Sequence, residues 1–186
     1  MITTENTPNP NALKFLVSRE VRGNKAPLFY KKDPVNNPEA DAPVAYALFK
    51  IDGVEDVFFG SDFITVGKSQ AVEWDSIKDD ITQTIEYHGS GPYVVEEMKP
   101  ACDDINSDAG ASKAEKQIVH LLDQRVRPAV AQDGGDIIFH SFKDGIVYLE
   151  MYGACSGCPS STATLKMGIE NMLKHYVPEV RRVEPV

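Results

Sequence analysis

The sequence has no apolar run approaching the roughly 18 residues that a membrane-spanning helix needs, so no stretch of it reads as a membrane segment. It also has little cysteine: Cys102, Cys155 and Cys158 in 186 residues. That is too few for a disulfide-stapled secreted scaffold and points to a reducing compartment. No leader is visible, because Met1 to Thr7 is short and acidic and patterned sequence follows at once. The expected location is therefore cytoplasmic, of bacterial type, or the mitochondrial matrix for a processed form. A basic excess is missing as well. The net charge is −9, with −5 over residues 1–95, −4 over 96–112 and zero over 113–186. This balance disfavours nucleic acid and anionic membrane as partners. No nucleophile stands beside a base and no phosphate-binding glycine loop occurs, so the chain does not read as an enzyme. What is present, 42% hydrophobic and 25% charged residues, is ordinary for globular domains.

One stretch concentrates chemistry: Gly153-Ala154-Cys155-Ser156-Gly157-Cys158-Pro159-Ser160-Ser161-Thr162. It holds a C-x-x-C pair between a predicted strand and a predicted helix. Pro159 suits the first helical position, and Leu165, Ile169, Met172, Leu173 and Tyr176 share one apolar face. No charged side chain occurs from Met151 to Leu165. Helix N–H groups and the hydroxyls of Ser156, Ser160, Ser161 and Thr162 are then the donors able to favour a thiolate. Such a pair serves soft metals, iron–sulfur clusters or disulfide exchange. Two sulfurs do not close a tetrahedral zinc site or an iron–sulfur site, each of which takes four ligands. Cys102 lies in an acidic stretch and is given no ligand role. The simplest completion is a second copy of the same loop across a two-fold homodimer, expected to be exposed and labile. Dithiol–disulfide exchange, a shared zinc and a pair of buried structural thiols are the competing readings.

The fold class expected is α+β: two small layered α/β domains, residues 1–95 and 113–186, joined by a flexible acidic linker over 96–112. In the first, Thr7-Pro8-Asn9-Pro10-Asn11 fixes the start of a strand, since residues before proline avoid helix. Ala12–Ser18 is that strand, with Leu13, Phe15 and Val17 on one side. Residues 19–41 read as a long loop with a short strand near Leu28–Tyr30, and Pro43–Lys50 as a short helix. Val54–Phe59 and Phe63–Val66 form a hairpin about Gly60-Ser61-Asp62. Ser69–Gly89 reads as a helix burying Trp74, Ile77, Ile81 and Ile85. In the second domain the expected order is α-β-β-α-β. A helix over Lys113–Val126 faces Ile118, Leu121, Leu122 and Val126 inward, and Arg127-Pro128 marks a kink or new turn. Asp133-Gly134-Gly135-Asp136 turns into a strand over Ile137–Phe142, with its Asp side chains capping backbone N–H groups. Lys143-Asp144-Gly145 turns into the strand Ile146–Met151. The cysteine loop and its helix follow, then an edge strand over Val180–Val183. His88, His120, His140 and His175 are scattered and read as packing or surface residues.

These motifs together resemble a known family. Arg127-Pro128, Asp133-Gly134-Gly135-Asp136-Ile137, Asp144-Gly145-Ile146-Val147 and Gly153-Ala154-Cys155-Ser156-Gly157-Cys158-Pro159-Ser160-Ser161 resemble the carboxy-terminal domain of NifU and the Nfu-type iron–sulfur carriers. Thr7–Phe15 and Gly60–Val66 look like the Nfu amino-terminal domain. The resemblance implies a carrier that holds a [4Fe-4S] cluster, sometimes [2Fe-2S], between the C-x-x-C loops of a homodimer. It implies Cys155 and Cys158 as ligands, an upstream assembly scaffold as donor, and apo iron–sulfur client proteins as recipients.

Overall fold

The structure is a computed structural model that describes residues 2–23, 27–33, 42–88, 93, 112–156 and 159–186, with residues 159–162 as backbone. The described chain mixes helix and strand in an α+β fold. It divides into two compact units, Met1–Pro100 and Ala101–Val186. The expected linker over 96–112 lies outside the described residues except for Ser112.

The first unit is a five-stranded antiparallel sheet in the order β1-β2-β5-β4-β3. The strands are β1 (Thr3–Asn6), β2 (Ala12–Leu16), β3 (Leu28–Lys31), β4 (Val54–Phe59) and β5 (Phe63–Lys68). Two helices, α1 (Pro43–Phe49) and α2 (Trp74–Tyr87), supply apolar faces to one side of it. Period-2 alternation puts Leu13 and Phe15 with Val57, Phe59, Ile64 and Val66 in one core, and α2 adds Ile77, Ile81 and Ile85 at its helical spacing. β1 was not legible, because Thr-Thr-Glu-Asn carries no apolar alternation; pairing to β2 alone defines it. The other side of β2 is also covered. Lys14 is 8% exposed, with its ammonium 3.5 Å from Glu5 on β1 and 4.6 Å from the centre of the Phe63 ring.

The expected helix from Ser69 begins five residues late. Ser69 N–H donates to the Gly53 carbonyl at 2.8 Å, and Val72 packs over Gly53, where φ is +94°. That return turn holds residues 69–73 out of the helix. The far end of that expectation, Gly89, lies outside the described residues. The proline-rich opening does fix strand entry: Asn9 Oδ1 accepts from Asn11 N–H at 3.0 Å, and Trp74 Nε1 donates to the Pro10 carbonyl at 2.9 Å.

One carboxyl in this unit carries a pH consequence. Asp56 faces Gly67 across the β4–β5 pair, where an added Cβ would lie 2.3 Å from the carboxylate. Burial, only partly offset by Lys31 and reinforced by Glu55, pushes Asp56 up to about 6 from 3.8. A raised acid pKa means the folded chain holds its proton more tightly than the unfolded one. Its contribution is therefore favourable below about 4 and is lost between about pH 4 and 6, leaving an ionisation cost above that. Asp56→Asn is expected to raise the stability of this unit at pH 7.5 by on the order of 1–2 kcal/mol and to leave it unchanged at pH 4. Urea melts followed by the fluorescence of Trp74, the single tryptophan, check both.

The second unit is a three-stranded sheet in the order β6-β7-β8, with β6 (Gly135–Lys143), β7 (Ile146–Gly153) and β8 (Arg182–Pro185). β6 and β7 form a hairpin through Asp144 and Gly145, both at positive φ, as a two-residue turn demands. α5 (Pro159–Tyr176) crosses to β8, which pairs parallel to β7. β8 lies two residues later than expected, because Arg181 N–H still donates to the Gly145 carbonyl at 2.7 Å while Val180 is buried. Ile169 and Leu173 of α5 meet Ile118, Leu122, Ile137, Val147 and Leu149 in the core. Tyr176, expected on the same face, instead lies outward beneath the Arg125 guanidinium, 4.8 Å from its ring centre.

The opening helix is one rod of three segments: α3 (Lys113–Leu121), a π-helical stretch Leu122–Val126, and α4 (Arg127–Gln132). The expected kink at Arg127-Pro128 is thus a widened turn. Pro128 has no N–H for the Gln124 carbonyl and its ring crowds that group; Arg127 N–H reaches back to Leu122 instead. Ser112 opens the rod with a capping box shared with Glu115. Ser112→Ala is expected to cost about 1 kcal/mol, measured as a lowered thermal midpoint of this unit by circular dichroism.

Candidate functional site

The Asp-Gly-Gly-Asp turn and the cysteine loop, far apart in sequence, meet at one end of the second sheet. Gly134, with φ at +80°, lies in the turn between α4 and β6. Register sets Gly135 opposite Gly153 and Asp136 opposite Tyr152. Ala154 N–H donates to the Gly134 carbonyl at 3.2 Å, which ties the loop to the turn. Gly153, with φ at +62°, turns the chain off β7. Ser156 then closes the turn on the Gly153 carbonyl, through its N–H at 3.0 Å and its hydroxyl at 2.9 Å.

This geometry points Cys155 inward. It is 5% exposed and belongs to the core of the second unit. The exposed pair expected from the polar loop is corrected at this residue. The reason is Gly135: a Cβ there would lie 2.4 Å from Cys155 Sγ, 2.7 Å from the Tyr152 carbonyl oxygen and 3.0 Å from Cys155 N. The missing side chain leaves the niche that the sulfur fills. Burial, then the nearby charges of Asp133 and Asp136, push the thiol up to about 12. A thiol held protonated attacks disulfides poorly at neutral pH, but a thiophilic metal displaces the proton.

Beneath the turn sits a charge pair. Asp136 is 3% exposed, and its carboxylate accepts from Arg127 Nε at 2.9 Å and a second guanidinium nitrogen at 2.8 Å. Ile137 N–H adds a bond to Oδ1 at 2.8 Å. Arg127 also reaches Asp123, one helical turn earlier, at 3.2 Å. The hydrogen bond to Asp136 raises the already high pKa of the guanidinium, so Arg127 stays charged. The expected backbone capping holds for Asp136. Its partner Arg127 was missed, since in sequence it is only the residue before Pro128. A charged residue at the head of a buried strand was the available signal that some cation had to face it.

α5 begins at Pro159, as the sequence indicated. Cys158 and Cys102 lie outside the described residues. Among the described residues, no group of three or more His, Cys, Asp or Glu is placed to hold a metal ion.

Residues 118–184 match the family model for the NifU-like domain, and residues 2–91 match that for the scaffold protein Nfu/NifU N terminal. The "NFU1 iron-sulfur cluster scaffold homolog, mitochondrial" of Drosophila persimilis is 44% identical over 190 residues, covering 100% of this chain and 64% of the relative. The human protein of the same name is also 44% identical over 190 residues, covering 100% of this chain and 71% of its own length. The chain thus spans just under two thirds of the fly relative. Among solved structures, a NifU-like protein from Saccharomyces cerevisiae is similar at 31% identity and a TM-score of 0.47, over 52% of this chain and 86% of that one.

Proposed function

Because the chain belongs to the Nfu/NifU family of iron–sulfur cluster scaffolds, we propose that two copies hold one [4Fe-4S] cluster between their C-x-x-C loops and pass it to apo-proteins. Cys155 and Cys158 of each copy are the proposed ligands. The observation that carries this reading is the shortfall of donors. One loop offers two sulfurs, a cluster takes four, and no group of three or more metal-binding side chains among the described residues makes up the difference. A two-fold copy supplies the rest.

Delivery is then ligand exchange. Each client thiol forms a bond to iron as one scaffold cysteine leaves, and the proton lost by the incoming thiol goes to the departing sulfur. No electron moves. The pair of chains separates as the cluster departs, with no catalytic step. The first unit selects clients or the upstream donor. The proposed compartment is a reducing one, the cytoplasm or, as the naming of the relatives indicates for them, the mitochondrial matrix. The test is transfer. Chains loaded anaerobically with iron and sulfide are mixed with a [4Fe-4S] enzyme stripped of its cluster. Enzyme activity should return faster than with equal free iron and sulfide; equal rates would reject the carrier role.

A further inference from the structure

The cysteine that the carrier role needs at the surface is packed inside the second unit, and one glycine makes that possible. Cys155 Sγ occupies the space a Gly135 side chain would fill, 2.4 Å from the position of its Cβ. The same Cβ position would lie 2.7 Å from the Tyr152 carbonyl oxygen and 3.0 Å from Cys155 N. Three further features fix it. Gly135 is paired to Gly153 in register. Gly134 holds Ala154 through a hydrogen bond at 3.2 Å. Asp136, the next residue, is anchored by Arg127 on α4.

We infer that Gly135 is a positioning residue for the cluster ligand: it stores the Cys155 sulfur in a closed niche while the chain is empty, and the loop must turn that sulfur outward to load. This rests on the carrier reading for its purpose but not for its geometry. A cluster bridging two copies needs all its sulfurs at a shared surface, and a residue 5% exposed is not there. The empty and loaded loops therefore differ in where Cys155 points. Storage keeps the thiol of the empty carrier away from solvent oxidants; on loading, the sulfur bonds iron and its proton passes to solvent.

The experiment uses the full chain without iron. Reduced protein is pulsed with iodoacetamide at pH 8, natively and in guanidinium, and labelling at each cysteine is read by peptide mass spectrometry. Cys155 is expected to label at least about 100-fold more slowly in the native chain than in the denatured one. In Gly135→Ala, which fills the niche, native labelling of Cys155 should rise at least about tenfold while that of Cys102 stays within about twofold. A general loss of packing would instead raise labelling along with a lowered melting midpoint. Native labelling of wild-type Cys155 within about threefold of its denatured rate overturns the inference, whether or not the variant folds. So does a folded Gly135→Ala chain that labels like wild type. Neither outcome touches the carrier reading, which is decided by cluster loading and transfer.

Discussion

Cys155→Ala is expected to reduce iron–sulfur loading at least about tenfold, from about four irons per pair of chains to a trace. The size of the effect follows from symmetry. A cluster shared across a two-fold axis loses two of its four sulfurs for each position substituted, one from each copy. The remaining two cannot hold a cubane against solvent thiols. The variant should nevertheless fold. Cys155 lies in the core of the second unit, but removing one sulfur atom leaves a small void, at a cost of about 1 kcal/mol. Cys158→Ala should lose loading equally. Iron and acid-labile sulfide per chain, with the visible spectrum, measure both variants against wild type. A Cys155→Ala chain that still loaded fully would remove the buried thiol from the ligand set.

Arg127→Ala is the largest stability effect expected. It leaves the Asp136 carboxylate, 3% exposed at the residue level, with the Ile137 N–H as its remaining described partner. Removing one member of a buried ion pair costs about 3–5 kcal/mol; the part-exposed guanidinium sets the expectation near the lower end. At about 3 kcal/mol, a domain of this size melts roughly 12–24 °C lower. The double variant Arg127→Leu with Asp136→Leu should recover at least half of the loss, because no uncompensated charge remains. Thermal unfolding by circular dichroism separates the two cases. If Arg127→Ala melted within about 2 °C of wild type, the pair would be a surface contact of little weight.

Much of this architecture was legible because it is written in periodicity and turn chemistry. The alternation at Val147 and Leu149, the Asp144-Gly145 turn and the Ile77, Ile81, Ile85 spacing each name their element without tertiary information. Where the reading failed, a long-range partner decided. β1 exists through its pairing with β2, and residues 69–73 stay out of α2 because Ser69 bonds Gly53. The π-helical stretch shows the same limit in milder form: Pro128 announces a disturbance, but its shape depends on the turns packed around it. At the site, the motifs identified the cysteines and the glycine turn but gave no sign that they touch. A polar, glycine-rich loop ordinarily leaves sulfur in solvent. Here the register Gly135–Gly153 folds it inward, and register is a property of two strands, not of one.

Native mass spectrometry of an anaerobically reconstituted sample tests the shared-site account most directly, since it reads chain count and cargo in one species. The account predicts an ion carrying two chains and one [4Fe-4S] unit, which reverts to single chains when the cluster is stripped. A cluster found in single chains, or a colourless single chain after loading, would contradict it.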